Sequence, residues 1–318
     1  MKSTVMKLCL GASIMAGISA IATTPAVAGS LTRAKVIGTS VFAENDYLKI
    51  ASDGTNTFID PSASLSTLLQ GNGGDPLSDI SDPRGNVELF ASSESLSNSD
   101  FENYTDVTSL TGQIGGKDIT LSSLTLDDWE SDLDGDGNNL AEEWFDAALR
   151  GNNLTGLIGT QIADNIYDKF IANGGLQRFS DPNISYVNQD EETDNILIGL
   201  AGHLNARDML ADVIGQNSIY AALLPSEIRA SEIVKVDYNG QITYLYGFQA
   251  KKTNLVSLDD NNEFTYSHSG NYELTLLGTP PGPSSSEPQD VPESSTVLGL
   301  IAVGGLFTAG RKLRKANC

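Results

Sequence analysis

The sequence predicts an α+β fold in mixed β-α-β order: short N-terminal strands, a central helical block and C-terminal antiparallel hairpins. Three observations carry this expectation. Short runs mixing β-branched and aromatic with polar residues punctuate positions 33 to 124. From Thr125 the apolar spacing widens to about four, a helical period that extends to about residue 225. Beyond it, Asn239-Gly240 sits between two alternating runs, the strongest short hairpin signal a sequence offers.

Taken in order, "DYLKIAS", "TNTFID", "GNVELFA" and "KDITLSSL" read as strands, with Asp53-Gly54 as a tight turn between the first two. "GNGGDPLSDISDPRGN" is a loop by its Gly, Pro and Asp content. "TLDD" opens the helical block as a capping box: the Thr125 hydroxyl takes a backbone N–H and Asp128 reaches back. Leu140, Trp144 and Ala148 then predict a helix stopped by Gly151. Leu154, Ile158, Ile162, Ile166 and Phe170 predict a longer one ending at Gly174-Gly175. A third apolar pattern from Ile196 to Ile214 is expected to be helical and to carry His203. "SEIVKVDYNGQITYLYGFQ", "EFTYSHS" and "YELTLLG" supply the closing strands of a body spanning residues 29–279. Residues 280–292, rich in Pro and Ser, cannot pack and read as a stalk.

The first 28 residues have a different character. Lys2 and Lys7 precede an apolar run from Leu8 to Ala22, followed by Pro25 and the triplet Ala26, Val27, Ala28. A short basic region, a weakly flanked apolar stretch and an A-x-A site form a secretory signal peptide, with cleavage by signal peptidase expected after Ala28. Cys9 is no lipidation site, because it stands before most of the apolar run.

Residues 291–318 end in an apolar segment, Val297 to Ala309, and a basic cluster of Arg311, Lys312, Arg314 and Lys315. The 13 apolar residues, or 17 from Ser294 to Gly310, are short of a comfortable span: as a helix the longer stretch covers about 25 Å against a hydrocarbon core of about 30 Å. The basic cluster stays on the cytoplasmic side while the body lies outside. It also argues against a glycolipid anchor signal, which should end in its apolar tail.

Val291-Pro292-Glu293, a Ser/Thr spacer, a Gly-rich apolar helix at 297–309 and a terminal basic cluster resemble the PEP-CTERM sorting signal of Gram-negative and cyanobacterial surface proteins; Ser294 replaces that motif's second proline. The resemblance implies recognition by an exosortase around Pro292 and Glu293, removal of the tail, and delivery to the outer surface or an exopolysaccharide matrix. In the body, "GNVELFASSES", "DITLSSLTLDDW" and "SEIVKVDYNGQITYLYGF" are similar to a cyanobacterial PEP-CTERM group without an assigned molecular role. That resemblance implies no catalytic residue and no cofactor.

Without its two ends the chain has 264 residues, with 13 Lys and Arg against 40 Asp and Glu, a net charge of -27. Such a field repels nucleic acid and anionic lipid. The cysteines, Cys9 and Cys318, fall in the two ends. The body therefore has no disulfide, zinc-thiolate or cysteine nucleophile, which fits a bacterial surface better than an animal secretory route.

One motif carries chemistry. "DLDGDGNNLAEE" matches the twelve-residue calcium loop: Asp132, Asp134 and Asp136 at positions 1, 3 and 5, Gly137 at 6, the Asn138 carbonyl at 7 and Glu143 at 12. Position 8, usually aliphatic, is Asn139. Calcium is the cofactor expected there; the competing reading is an acidic turn without an ion. His203 and His268 read as packed or surface residues, and neither G-x-S-x-G nor H-E-x-x-H occurs. Tyr244, Tyr246 and Phe248 form an alternating stripe, read as core ahead of a sugar-stacking platform.

These observations lead to an exported, non-enzymatic surface or matrix protein that touches the membrane, at least transiently, through its C-terminal helix. Two alternatives stand beside it: a secreted carbohydrate-active hydrolase using paired carboxylates, and a single-pass protein permanently anchored by an uncut tail.

Overall fold

Two antiparallel β-sheets share one apolar core, and a helical cap closes one end of them. The computed structural model describes residues 27–70, 83–133, 135–190, 192–215, 218–258, 264–265 and 267–279, all within one compact unit. The leader up to Ala26, the stalk and the tail with Pro292 and Glu293 lie outside the described residues.

The N-terminal strands are β1 Val27–Ser30, β2 Thr32–Ile37, β3 Tyr47–Ser52, β4 Asn56–Ile59, β5 Gly85–Leu89, β6 Ser109–Ile114 and β7 Lys117–Ser122, with the short helices α1 Leu65–Leu68 and α2 Asn98–Phe101 between them. The cap begins with α3 Leu126–Trp129, α4 Leu140–Gly151 and α5 Gln161–Ala172. Then come β8 Asn183–Asp190, β9 Ile196–Gly202 and α6 Arg207–Val213. β10 Val234–Tyr238, β11 Gln241–Leu245, β12 Ala250–Lys252, β13 Val256–Leu258, β14 Phe264–Thr265 and β15 Gly270–Leu276 close the body.

The larger sheet runs β12-β15-β9-β8-β5-β3-β4-β13-β14 with β1 added on β8, and the smaller runs β11-β10-β7-β6-β2. Pairing is antiparallel throughout except between β4 and β13. Alternation along each strand sends one set of side chains inward. Val87, Ile184, Ile198, Leu200 and Leu274 of the larger sheet meet Leu110, Ile119, Leu121, Val234 and Val236 of the smaller in a single buried cluster.

The opposite face of the larger sheet is buried too, and it is polar. Asn86 and Asn271 alternate with core residues, and they are accompanied by Thr57, Ser185 and His268, all at most 5% exposed. The topology explains this. Residues 253–255 join β12 at one end of the sheet to β13 near the other, so the sheet curls until its ends meet. His268 closes the seam: its Nδ1 shares protons with Thr57 Oγ1 at 2.7 Å and Ser257 Oγ at 3.3 Å, and its carbonyl accepts from Thr253 Oγ1.

The cap has its own core. Trp129 and Trp144 meet edge to face at 6.0 Å, and Trp144 packs on Phe179 and Phe170 at 4.5 and 5.5 Å. Trp129 donates its indole N–H to Ser180 Oγ at 2.7 Å, which removes the cost of burying that donor.

The α+β class holds, and several local expectations are corrected. The helical block expected over about 125–225 is interrupted by β8 and β9, so His203 follows a strand and is not helical. "ILIGLAG" is a short apolar run buried on both faces, and periodicity cannot separate a central strand from a helix in such a run. The 154–170 stripe makes one 3-10 turn at Thr155–Leu157 and becomes α-helical only at Gln161. Thr160 caps that helix, its Oγ1 accepting from Ala163 N, and the preceding Gly159 has φ +72°. Among the described residues of "EFTYSHS", Phe264–Thr265 is strand and 267–269 form a turn. β1, β2, β6, β12 and β13 lie outside the named strand runs; β6 contains Gly112, which has no side chain to mark a strand face.

Candidate functional site

The acidic loop between α3 and α4 is built by local hydrogen bonds. Thr125 and Asp128 form the expected capping box on α3. Burial alone would raise the Asp128 carboxyl, but hydrogen bonds from Lys235 Nζ and Tyr244 OH, each 2.6 Å, outweigh it and hold the group below the usual carboxylate range. The start of the loop is thereby tied to the smaller sheet.

Asp132 then folds the loop back on itself: Oδ1 accepts from Gly135 N at 2.7 Å and Oδ2 from Gly137 N at 3.2 Å. Both glycines have positive φ, +77° and +99°, which an L side chain rarely adopts. Asp136 Oδ1 accepts from the backbone and side-chain nitrogens of Asn138. Asn139 occupies the position where a calcium loop usually has an aliphatic residue because it is the N-cap of α4. Its Oδ1 accepts from Glu142 N and Glu142 Oε2 accepts from Asn139 N, both at 3.0 Å.

Asp132, Asp136 and Asn138 thus share one exposed loop, while Asp134 lies outside the described residues. Glu143 is half-buried on the first turn of α4, and its charge faces Tyr246, whose phenol is pushed up first by burial and then by that carboxylate. Among the described residues no three His, Cys, Asp or Glu side chains converge as a metal site.

A second acidic group was not foreseen. Asp181 and Glu232 precede β8 and β10 and meet where the cap joins the sheets. Asp181 is 5% exposed; Ser93 donates to its Oδ2, and its Oδ1 has no partner. Burial, then the charges of Glu232, Glu88 and Glu94, hold it protonated well above the usual range. Glu232 accepts from Asn183 N at 2.9 Å, and burial raises it to about 8. Neither carboxylate lines two grooves among the described residues, of about 570 and 320 Å³.

The remaining candidates contribute to packing. Burial first, and His203 second, lower His268 to about 4, so it is a neutral seam residue. His203 is lowered by burial and then by Arg178, and its carbonyl accepts from Tyr272 OH. Tyr244, Tyr246 and Phe248 all pack on the cap core. Among the described residues no helix is long and apolar enough to cross a membrane. Ala28 falls within β1, and Ala26 lies outside the described residues.

Compared with known proteins, the chain matches no family model, no curated protein and no solved structure.

Proposed function

We propose that this chain is an exported, non-enzymatic protein of the cell surface or extracellular matrix, with a leader cut by signal peptidase and a tail handled by an exosortase. The observation that carries the reading is the pair of ends. A leader with an A-x-A site stands before the body, and a Pro-Glu, apolar, basic segment follows it. The fold supports it at one point. Gly29, the expected first residue after cleavage, lies in register with Gln189, and the Gln189 side-chain amide donates at 3.0 Å to the carbonyl of Thr279, where the stalk begins. The expected start of the mature body and the last described residue, Thr279, therefore both border Gln189.

The acidic loop is, in this reading, a structural calcium site, with Asp132, Asp136 and the Asn138 carbonyl as ligands beside Asp134 and Glu143. The hydrolase alternative draws on the Asp181–Glu232 pair. Asp181, however, is enclosed, and a glycosidase needs both carboxyl groups to reach a sugar.

Expression in an exosortase-bearing bacterium and in its exosortase-deficient derivative tests the sorting. The body should be cleaved by external protease only in the first strain and stay membrane-bound in the second. Equal exposure in both would overturn exosortase sorting.

A further inference from the structure

A groove of about 570 Å³ lies where the end of α4 meets β12 and β15. Its size falls within the range of small-ligand sites.

One wall is rigid. Asn152 at the end of α4 accepts from Arg229 N at 2.8 Å and donates to the carbonyls of Ala148 and Arg229, both at 2.9 Å. That network stitches the helix to the segment before β10. Phe248 supplies an aromatic surface seated against Gly151, where an added Cβ would lie 2.5 Å from Phe248 Cβ, so only glycine permits that seating. The Arg229 guanidinium is bonded to Glu227, and Glu273 accepts from Tyr186 OH at 2.9 Å. Lys251 and the exposed amides of Asn153 and Gln249 complete the rim.

The charges lining the groove are two carboxylates and two cations, which cancel, on a chain of net charge -22. Neither an anionic nor a cationic ligand gains from this neutral field. Each amide offers a donor and an acceptor side by side, and the Arg229–Glu227 pair does the same without net charge. Vicinal hydroxyl groups present the matching pattern, while the C–H face of a sugar ring suits an aromatic side chain. A purely apolar ligand would strand these polar groups.

We infer that this groove binds a short, neutral oligosaccharide. The assignment goes beyond the surface-protein reading and does not depend on the tail.

The test is titration of the full-length protein, held in a detergent without a sugar headgroup. The probes are neutral gluco-, galacto- and manno-configured tetrasaccharides, a uronic-acid tetrasaccharide and an uncharged tetrapeptide. At least one neutral sugar should bind with a Kd of about 1 mM or tighter. Gln249→Ala/Lys251→Ala, which alters two exposed side chains, should weaken it by about tenfold or more with Tm unchanged. Phe248→Ala should abolish it.

No neutral binding at about 10 mM sugar, binding untouched by the double substitution, or tighter binding of the uronic acid or the peptide would overturn the assignment. Binding accompanied by cleavage of the sugar would uphold the groove and overturn the non-enzymatic reading.

Discussion

Asp181 and Glu232 make stability depend on pH in a direction that surface carboxylates do not. Their ordinary values are 3.8 and 4.5, and in the fold both are raised, Glu232 to about 8. The folded chain then holds more protons than the unfolded one from about 4.5 to about 8. Stability falls as pH rises through that window, by at most about 1.4 kcal/mol per pH unit for one such group. His268 acts oppositely. Lowered from 6.5 to about 4, it leaves the unfolded chain holding more protons in that interval, so stability falls as pH drops through it. His203, also lowered, acts in the same direction as His268, so below about 6.5 the histidines and the two carboxyls oppose each other. Above 6.5 the carboxyls act alone, and Tm should decline toward pH 8. Asp181→Asn/Glu232→Gln should flatten that decline; a wild-type Tm constant from pH 6.5 to 8 would refute the buried-proton assignment. None of this was legible in the sequence. The pair is separated by β8, β9 and α6, and two acids among many carry no spacing signal.

The elements that were legible are those whose cause is local. Thr125 and Asp128 capped α3 as read, and Asn239-Gly240, with φ of +54° and +80°, turns β10 into β11. β8 and β9 were not legible because their conformation is set by sheet neighbours far along the chain. The loop between α3 and α4 was recognised as a motif, but the role of Asn139 as N-cap was missed although Asn139 and Glu142 have the spacing of a capping box. Asn139→Ala should cost about 1 kcal/mol, or about 2–4 °C in Tm. If the loop holds calcium, millimolar calcium should raise the Tm of the wild type and not of Asp132→Asn/Asp136→Asn, because an ion bound only by the folded state stabilises it. Equal shifts in both proteins would leave an acidic turn. Melting is the proper readout, since Trp129 and Trp144 are 0% and 2% exposed and report the cap core rather than the loop.

At the scale of the whole molecule, one compact body joins two ends of unlike composition. The two ends hold six of the nineteen basic residues, and the body they leave carries -27, a charge that favours solubility and discourages contact with anionic surfaces. The α+β class was readable from the alternation of periods. The curl of the larger sheet was not, because it depends on residues 253–255 bringing β12 and β13 together. The central claim is export followed by removal of both ends, and the intact mass of protein extracted from the surface of an exosortase-bearing host tests it most directly. The account predicts a chain that begins at Gly29 and ends near Pro292. A mass that still includes Met1 would contradict export through a cleaved leader, and one that still includes Cys318 would contradict sorting in favour of a permanent membrane anchor.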